Sequence, residues 1–207
     1  MKAIHLSDID WKKTKAVIFD LDGTIYNKRF LSLHLVANEV ISLPFLMRER
    51  MVYRSFKGCC FDSSEKFYDA FFEKMAHGSH LFSAHTARSW YFNNYMPLMF
   101  EALCFFYKAE QWALDIIHYC NDNNIPVCVV SDYCFVKDKL RALQIDPQLF
   151  TFTIATPDLG GLKPNKRVME QVVEKLGVPA ENCLMIGDRE DTDGDFARSV
   201  GAMFLKC

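Results

Sequence analysis

The chain has 207 residues, of which 50% are apolar and 24% are charged. It is long enough to bury a real core, as one domain or one domain with a sizeable insertion, and it is too apolar to be disordered. Its 24 basic and 26 acidic side chains nearly balance, which gives no indication of a nucleic-acid or membrane-surface partner. No apolar run has the length of a transmembrane helix and the N-terminus has no signal-peptide pattern, so we expect a cytoplasmic protein.

Five short apolar runs predict the strands of a parallel sheet. The first lies at residues 15–24 (KAVIFDLDGT), and the others are also uninterrupted and rich in Val, Ile or Phe. Such runs are typical of strands that are buried on both faces of a sheet. The four later runs lie at 125–132, 149–156, 182–188 and 202–206.

Segments with helical periodicity separate the later strands. They lie at 110–120, 135–143 and 165–176, and the last one stops at Gly177 with Pro179 just beyond. A regular alternation of strand and helix predicts an α/β fold, a doubly wound (Rossmann-like) parallel sheet.

The interval between the first two strands differs, because it contains no convincing strand. We predict one helical segment that is broken near Pro44, a second that begins at a capping box at Asp62, and two more that flank Pro97. This pattern predicts an all-helical cap domain inserted into the α/β core. The predicted division is a core of residues 1–25 and 108–207 and a cap of residues 26–107.

Two carboxylates follow the first apolar run, in the string DLDGT at residues 20–24. On an extended segment, residues two apart point to the same side, and Gly23 allows a tight turn beside them. Asp20 can then attack an electrophile while Asp22 transfers a proton. An ordinary turn at a strand end is the alternative interpretation.

Two further polar groups lie where later strands end. Ser131-Asp132 ends the second run, and a serine there can donate a hydrogen bond to an anionic oxygen, although Ser-Asp is also a common helix N-cap. Lys163 lies in GGLKP (160–164), where glycine and proline constrain the backbone so that the ammonium can be aimed at one charge. A solvated loop lysine is the alternative.

An acidic loop, GDREDTD at residues 187–193, follows the fourth run. Its carboxylates would repel one another unless a cation is present, and carboxylate oxygens suit Mg²⁺. A solvated acidic loop is the alternative interpretation.

The order of these elements, Asp, Ser, Lys and an acidic loop, resembles the four motifs of the haloacid dehalogenase superfamily of phosphatases and phosphotransferases. The resemblance covers residues 15–24 and 110–207. It implies that Asp20 is the nucleophile and Asp22 the general acid/base. The implied phosphate-binding residues are Ser131, Asp132 and Lys163.

The same resemblance implies Mg²⁺ as the cofactor. The implied metal ligands are Asp20, the backbone carbonyl of Asp22, Asp188 and Asp193. Because the loop holds further acids, Asp191 remains an alternative to Asp193.

The position of the helical insert, between the first and second motifs, resembles the branch with a helical (C1-type) cap. That branch includes phosphoglycolate phosphatase-like enzymes, β-phosphoglucomutase-like mutases and the dehalogenases. Asp22 argues against a dehalogenase, whose chemistry does not protonate a leaving alkoxide.

We therefore expect a Mg²⁺-dependent phosphatase that hydrolyses a small phosphorylated metabolite through an aspartyl phosphate. The alternatives are a phosphotransferase or phosphomutase on the same scaffold, a non-catalytic regulatory or binding module, and a helical interaction protein. The intact Asp20, Asp22, Lys163 and Asp188 argue against a module without activity.

The cap has an excess of basic residues, ten against seven acidic ones between residues 28 and 108. This excess would suit an anionic metabolite, although scattered surface lysines also explain it. The cluster Trp90-Tyr91-Phe92 with Tyr95 is interpreted as the cap's own core, with a pocket wall as the alternative.

The eight cysteines include no Cys-x-x-Cys pair, and several lie in apolar runs, such as Cys128 and Cys183. A disulfide framework or a zinc site would need regular spacing. We therefore predict reduced thiols that pack as small apolar side chains.

Overall fold

A computed structural model describes residues 2–38 and 43–207 of the chain. Its sheet has five strands in the order β3-β2-β1-β4-β5, and every neighbouring pair is parallel. Each strand lies within one of the predicted apolar runs, so the predicted α/β fold is confirmed. The strands are β1 (Ala16–Phe19), β2 (Val127–Ser131), β3 (Phe152–Ala155), β4 (Cys183–Gly187) and β5 (Met203–Lys206).

Nine α-helices accompany the sheet within the described ranges. Five of them lie between β1 and β2: α1 (Leu31–Asn38), α2 (Leu43–Ser55), α3 (Ser64–Ala76), α4 (Ala84–Trp90) and α5 (Met96–Phe106). The other four alternate with the later strands: α6 (Gln111–Asp122), α7 (Val136–Ala142), α8 (Lys166–Leu176) and α9 (Asp195–Arg198).

The sheet is covered on both faces, as its apolar strands require. Alternate residues of β1 point to opposite faces, so Val17 and Phe19 pack with α6 and α7, whereas Ala16 and Ile18 pack with α8 and α9. All four β1 side chains are completely buried. The result is the three-layer arrangement of a doubly wound fold.

The helices between β1 and β2 pack around aromatic side chains. Phe67 and Tyr91 are completely buried, and Phe71 and Phe72 nearly so. These rings belong to the same hydrophobic cluster as the α6–α7 face of the sheet, so the apolar core continues from the sheet into the helices. The boundaries of the predicted cap therefore stay a prediction.

The start of α3 differs from the predicted capping box by one residue. The N-cap is Ser63, whose hydroxyl accepts a hydrogen bond from the backbone N–H of Lys66. Asp62 instead forms an exposed ion pair with the Lys66 ammonium, 2.6 Å away. The Ser63 hydroxyl accepts a backbone N–H of the first helical turn, so the Asp62 carboxylate is not needed as the cap and pairs with the Lys66 side chain.

Proline positions also differ from expectation. Pro97 lies in the first turn of α5 and does not separate two helices; the separation is a π-helical turn at Tyr91–Tyr95. A π-turn relaxes the hydrogen-bond pattern in which proline cannot take part. Pro44 lies in the first turn of α2. Residues 39–42, just before it, lie outside the described residues, so the break predicted near Pro44 stays a prediction.

All eight cysteines are free thiols, and five of them are buried. The prediction of packed thiols agrees with these five, whereas Cys104 is exposed and Cys59 and Cys60 are partly buried. None of the helices in the described ranges has the length and apolar character needed to cross a bilayer.

Candidate active site

The candidate site lies at the carboxyl edge of the sheet, where β1 has β2 on one side and β4 on the other. The chain leaves β1 toward one side of the sheet and β4 toward the other, which opens a crevice at this edge. Asp20 follows β1, Ser131 ends β2 and Asp188 follows β4. The loop after β3 brings Lys163 to the same place. The predicted convergence of these residues is therefore present in the structure.

A buried lysine joins two buried carboxylates at the centre of the site. The Lys163 ammonium lies 2.6 Å from Asp20 Oδ1 and 2.6 Å from Asp193 Oδ1. The other oxygen of Asp20 accepts a hydrogen bond from the Thr24 hydroxyl at 2.9 Å. No more than 6% of the surface of Asp20, Lys163 or Asp193 is exposed, so solvent screens these charges weakly.

Burial raises the pKa of Asp20 to about 7; the Lys163 ammonium opposes this increase and the Asp193 carboxylate adds to it. Burial alone would lower the pKa of Lys163, but Asp193 and Asp20 together raise it well above its ordinary value. Lys163 is therefore a permanent cation. Asp20 needs additional positive charge beside it to be fully ionised, and thus nucleophilic, at neutral pH.

Asp22 is held by donors on both of its oxygens. The Lys139 ammonium lies 2.6 Å from Oδ1 and 2.8 Å from Oδ2, and Lys139 is completely buried. The Tyr26 hydroxyl donates to Oδ1 at 2.6 Å, and the Ser131 hydroxyl donates to Oδ2 at 2.9 Å. Burial alone would raise the pKa of Asp22, but Lys139 and the two hydroxyls lower it below its ordinary value. The carboxylate is therefore ionised, the form that accepts a proton.

A second lysine lies beside the backbone of the same turn. The Lys28 ammonium is 2.6 Å from the carbonyl oxygen of Asp22 and 2.9 Å from Asp188 Oδ2. Gly23 has a φ of +102°, and a Cβ atom there would lie 2.6 Å from both the Asp188 carboxylate and the Lys28 ammonium. Glycine is thus required for this close approach. The Lys28 ammonium therefore contacts two of the predicted metal ligands, the Asp22 carbonyl oxygen and the Asp188 carboxylate.

The carboxylates of the acidic loop differ in burial and in their partners. Asp193 is buried against Gly187, whose lack of a side chain makes room for it, and it contacts Lys163. Asp191 is more than half exposed and pairs with Lys57 and with Arg189, which lower its pKa to about 2. The geometry therefore favours Asp193 over Asp191 as the second carboxylate of a metal site.

Carboxylate oxygens of Asp20, Asp188 and Asp193 all lie within 4.8 Å of one another. The donors are all carboxylate oxygens, the ligand type that Mg²⁺ prefers, and two of the three side chains are buried. Three such carboxylates repel one another, so a divalent cation would stabilise the cluster. The residues present therefore fit Mg²⁺.

Ser131 and Asp132 have partners within the protein. The Ser131 hydroxyl donates to Asp22 and accepts a hydrogen bond from the backbone N–H of Tyr133. Asp132 Oδ1 accepts hydrogen bonds from the Thr156 hydroxyl at 2.7 Å and from the backbone N–H of Lys163 at 3.0 Å. A carboxylate offers no donor to a phosphoryl oxygen, so the Asp132 side chain positions the Lys163 loop. The assignment of Asp132 to phosphate binding stays a prediction.

A cavity of about 340 Å³ opens above Asp20 and reaches the helices that follow β1. The core supplies its carboxylates, Lys163, Arg189, Thr192 and Tyr133. From the predicted cap come Lys28, Leu31, Leu35, Arg50, Arg54, Tyr95 and Met99. Tyr95 fits both interpretations of its aromatic cluster, the cap's own core and a pocket wall. It is buried in the hydrophobic cluster and it also lines the cavity.

Several residues of the site were missed in the sequence. Lys28, Arg54 and Tyr26 carry no motif, and their contacts depend on the tertiary fold. A signal for Lys139 does exist: it lies on the buried face of α7 between Val136 and Leu140, where a helix normally carries apolar side chains. A lysine in an apolar stripe indicates a buried partner of opposite charge.

Comparison with known proteins gives a family and a fold. A sequence model described as haloacid dehalogenase-like hydrolase matches residues 17–206. The protein YfnB of Bacillus subtilis, solved bound to magnesium, is 18% identical with a TM-score of 0.64, over 93% of this chain and 88% of that one. No curated protein sequence matches.

Two further solved structures have the same fold. One is described as a predicted phosphoglycolate phosphatase from Haemophilus somnus, 17% identical with a TM-score of 0.62, over 94% of this chain and 85% of that one. The other is a β-phosphoglucomutase from Clostridium difficile, 19% identical with a TM-score of 0.60, over 93% of this chain and 84% of that one. At these identities the likeness shows the fold alone.

Proposed function

Because the chain belongs to the haloacid dehalogenase-like hydrolase family, we propose that it is a Mg²⁺-dependent phosphatase acting on a small phosphomonoester. The observation that carries the proposal is the convergence of Asp20, Asp188 and Asp193 at the carboxyl edge of the sheet, where Lys163 pairs with Asp20 and Asp193. This arrangement supplies a carboxylate nucleophile, a buried cation and an oxygen-only metal site within one small cavity.

In the first half of the proposed reaction, a carboxylate oxygen of Asp20 attacks phosphorus and the bond from phosphorus to the leaving oxygen breaks. Lys163 lies beside Asp20 and places positive charge next to the transferring group. Mg²⁺, held by Asp20, Asp188, Asp193 and the carbonyl of Asp22, would supply further positive charge that favours ionised Asp20. The product of this half is an aspartyl phosphate.

In the second half, water attacks the aspartyl phosphate and Asp22 accepts the proton that the water loses. The ionised state of Asp22 suits this step. In the first half, Asp22 gives the leaving oxygen a proton, the one that it accepted from water at the end of the preceding turnover, and it is thereby ionised again for the second half. We propose that the helices above the cavity limit the access of bulk water during the first half.

The test is a screen of phosphorylated metabolites for release of inorganic phosphate, with Mg²⁺ and with a chelator. Asp20→Asn should lower turnover by about a thousandfold or more while the fold is kept, since an amide does not form the aspartyl phosphate. The matched control is Asp195→Asn, which removes an exposed carboxylate beyond the acidic loop. Equal rates for Asp20→Asn and the wild type would contradict the proposal.

A phosphomutase remains the second candidate, because one of the solved structures with this fold is a β-phosphoglucomutase. Product analysis with a sugar phosphate separates the two functions: inorganic phosphate supports the phosphatase, and an isomerised sugar phosphate supports the mutase. We further propose a cytoplasmic enzyme whose partner is a small phosphorylated metabolite, with no nucleic-acid or membrane partner.

A further inference from the structure

The loop that carries Lys163 is paired with a segment of the predicted cap. Residues 58–61, which follow α2, run antiparallel to residues 160–163, which follow β3. We call residues 58–61 the strap. Three backbone hydrogen bonds join the two segments in one register: from Phe61 N–H to the Gly160 carbonyl (2.6 Å), from Leu162 N–H to the Cys59 carbonyl (3.1 Å), and from Gly58 N–H to the Lys163 carbonyl (3.1 Å).

One asparagine and two glycines make this pairing possible. The Asn165 side chain donates from Nδ2 to the carbonyl oxygen of Gly58 at 2.9 Å, while its Oδ1 caps the start of α8. A Cβ atom on Gly161 would lie 2.7 Å from the Cys59 carbonyl oxygen, and a Cβ atom on the preceding glycine would overlap the strap backbone as well. The close approach of the strap therefore explains both glycines of the GGLKP string.

Lys163 is held through its backbone as well as through its ammonium. Its N–H donates to Asp132 Oδ1 at 3.0 Å, a contact within the core, and its carbonyl accepts the hydrogen bond from Gly58 in the strap. The side chain that these two contacts anchor is buried, and its ammonium lies 2.6 Å from Asp20. A small displacement of a charge beside the reacting atoms lowers the rate strongly. The position of the ammonium therefore depends on the strap.

We propose that the strap positions Lys163 for phosphoryl transfer and keeps the predicted cap attached to the core at this point during turnover. Detachment would break three backbone hydrogen bonds together and expose residues 160–163, all of which are buried, to water. The neighbouring ion pair of Lys57 with Asp191 is exposed, so it adds little to the attachment. The positioning role rests on the proposed phosphatase function, whereas the attachment does not.

Hydrogen exchange measures the attachment directly. In the wild type, the N–H groups of Gly58, Phe61 and Leu162 should exchange at least about a hundredfold more slowly than in an unstructured peptide, which corresponds to a strap that is detached about 1% of the time or less. Exchange at the rate of an unstructured peptide would overturn the proposal, whatever the activity of the enzyme.

Asn165→Asp weakens the strap with little effect on α8. Aspartate caps a helix as well as asparagine does, but it has no N–H to donate and it places a carboxylate against the Gly58 carbonyl. The variant should speed exchange of the three amides by about tenfold or more and leave the amides of α8 unchanged. Gly161→Ala, whose Cβ atom would meet the Cys59 carbonyl, should do the same at the strap. If neither variant changes this exchange, the proposal is wrong.

Steady-state kinetics with p-nitrophenyl phosphate and Mg²⁺ measure the effect on Lys163. Asn165→Asp should lower kcat by about tenfold and leave KM within about twofold, because a displaced ammonium weakens an interaction that is made in the transition state. The matched control is Asn182→Asp, at the opposite end of β4 from the site. It removes a hydrogen bond of the same type and length, from Asn182 Nδ2 to the Lys13 carbonyl at 2.9 Å, and should change neither constant.

The outcomes separate the two proposals. Faster strap exchange in Asn165→Asp with an unchanged kcat would show that Lys163 is positioned without the strap. Equal losses of kcat in Asn165→Asp and Asn182→Asp would show a general loss of stability, and this result also overturns the positioning role. A wild type that hydrolyses no ester contradicts the proposed function alone, because the exchange measurement still decides whether the strap holds.

Discussion

The buried glutamate of α2 makes a prediction about stability. Glu49 is completely buried, and within residues 2–38 and 43–207 neither of its carboxylate oxygens has a hydrogen-bond partner. Burial raises its pKa from 4.5 to about 8, although the positive charges of Arg50 and Lys139 oppose the increase. The folded protein therefore holds a proton on Glu49 at neutral pH, whereas the unfolded chain does not.

The sign and size of the effect follow from this difference. Between the unfolded and folded pKa values the folded state binds more protons than the unfolded state, so stability falls as pH rises. Since one pKa unit corresponds to about 1.4 kcal/mol, Glu49 should remove about 4 kcal/mol of stability between about pH 5 and about pH 8.5. The contribution of Glu49 to the free energy of unfolding is fully present below the unfolded-state pKa of 4.5 and is lost as the pH rises to the folded-state pKa of about 8.

Glu49→Gln replaces the carboxyl by an amide that does not ionise. The two proteins should have similar free energies of unfolding at about pH 5, and the variant should be more stable by about 4 kcal/mol at about pH 8.5. Urea unfolding at both pH values measures this, and the difference between the proteins cancels groups that titrate in both. The control is Glu73→Gln, on the exposed face of α3. Parallel pH dependence for Glu49→Gln and the wild type would show that Glu49 is not buried without a partner.

Two further predictions concern the charged side chains of the site. Lys139→Met leaves Asp22, whose side chain is 13% exposed, without its buried ammonium partner and should cost about 3–5 kcal/mol in urea unfolding; a loss below about 1 kcal/mol would contradict a strong ion pair. Asp188→Ala should weaken Mg²⁺ binding, measured by calorimetry, more than Asp193→Ala does, and excess Mg²⁺ should rescue Asp193→Ala better. Identical titration curves for these two variants would show that the ranking of the ligands is wrong.

The sheet could be predicted because its strands are short, wholly apolar and followed by polar residues. Parallel strands that are buried on both faces leave little choice of side chain, so the pattern is visible without tertiary information. The carboxyl ends of β1 and β4 then bring Asp20 and Asp188 together wherever the intervening helices lie. This explains why the motif residues, separated by more than a hundred positions, were found from the sequence.

The partners of those residues could not be predicted in the same way. The apolar stripe of α7 indicates a buried partner for Lys139, but only the packing of α7 identifies that partner as Asp22. Lys28 is one lysine among many, and only the turn after β1 places it at Asp188. The N-cap at Ser63 was misplaced by one residue, since Asp62 has equal intrinsic preference for that position. The identity of a side chain's partner depends on how the helices pack against the sheet, and the local sequence does not give it.

The three lysines of the site differ in their freedom to move. Lys163 and Lys139 are at most 3% exposed, whereas the Lys28 side chain is 43% exposed. Separating a buried ammonium from its carboxylate costs much free energy, so Lys163 and Lys139 should stay paired with Asp20 and Asp22. Lys28 loses little by returning to water. Because it contacts both the Asp22 carbonyl and Asp188, it is the lysine that a divalent cation would displace from these oxygens.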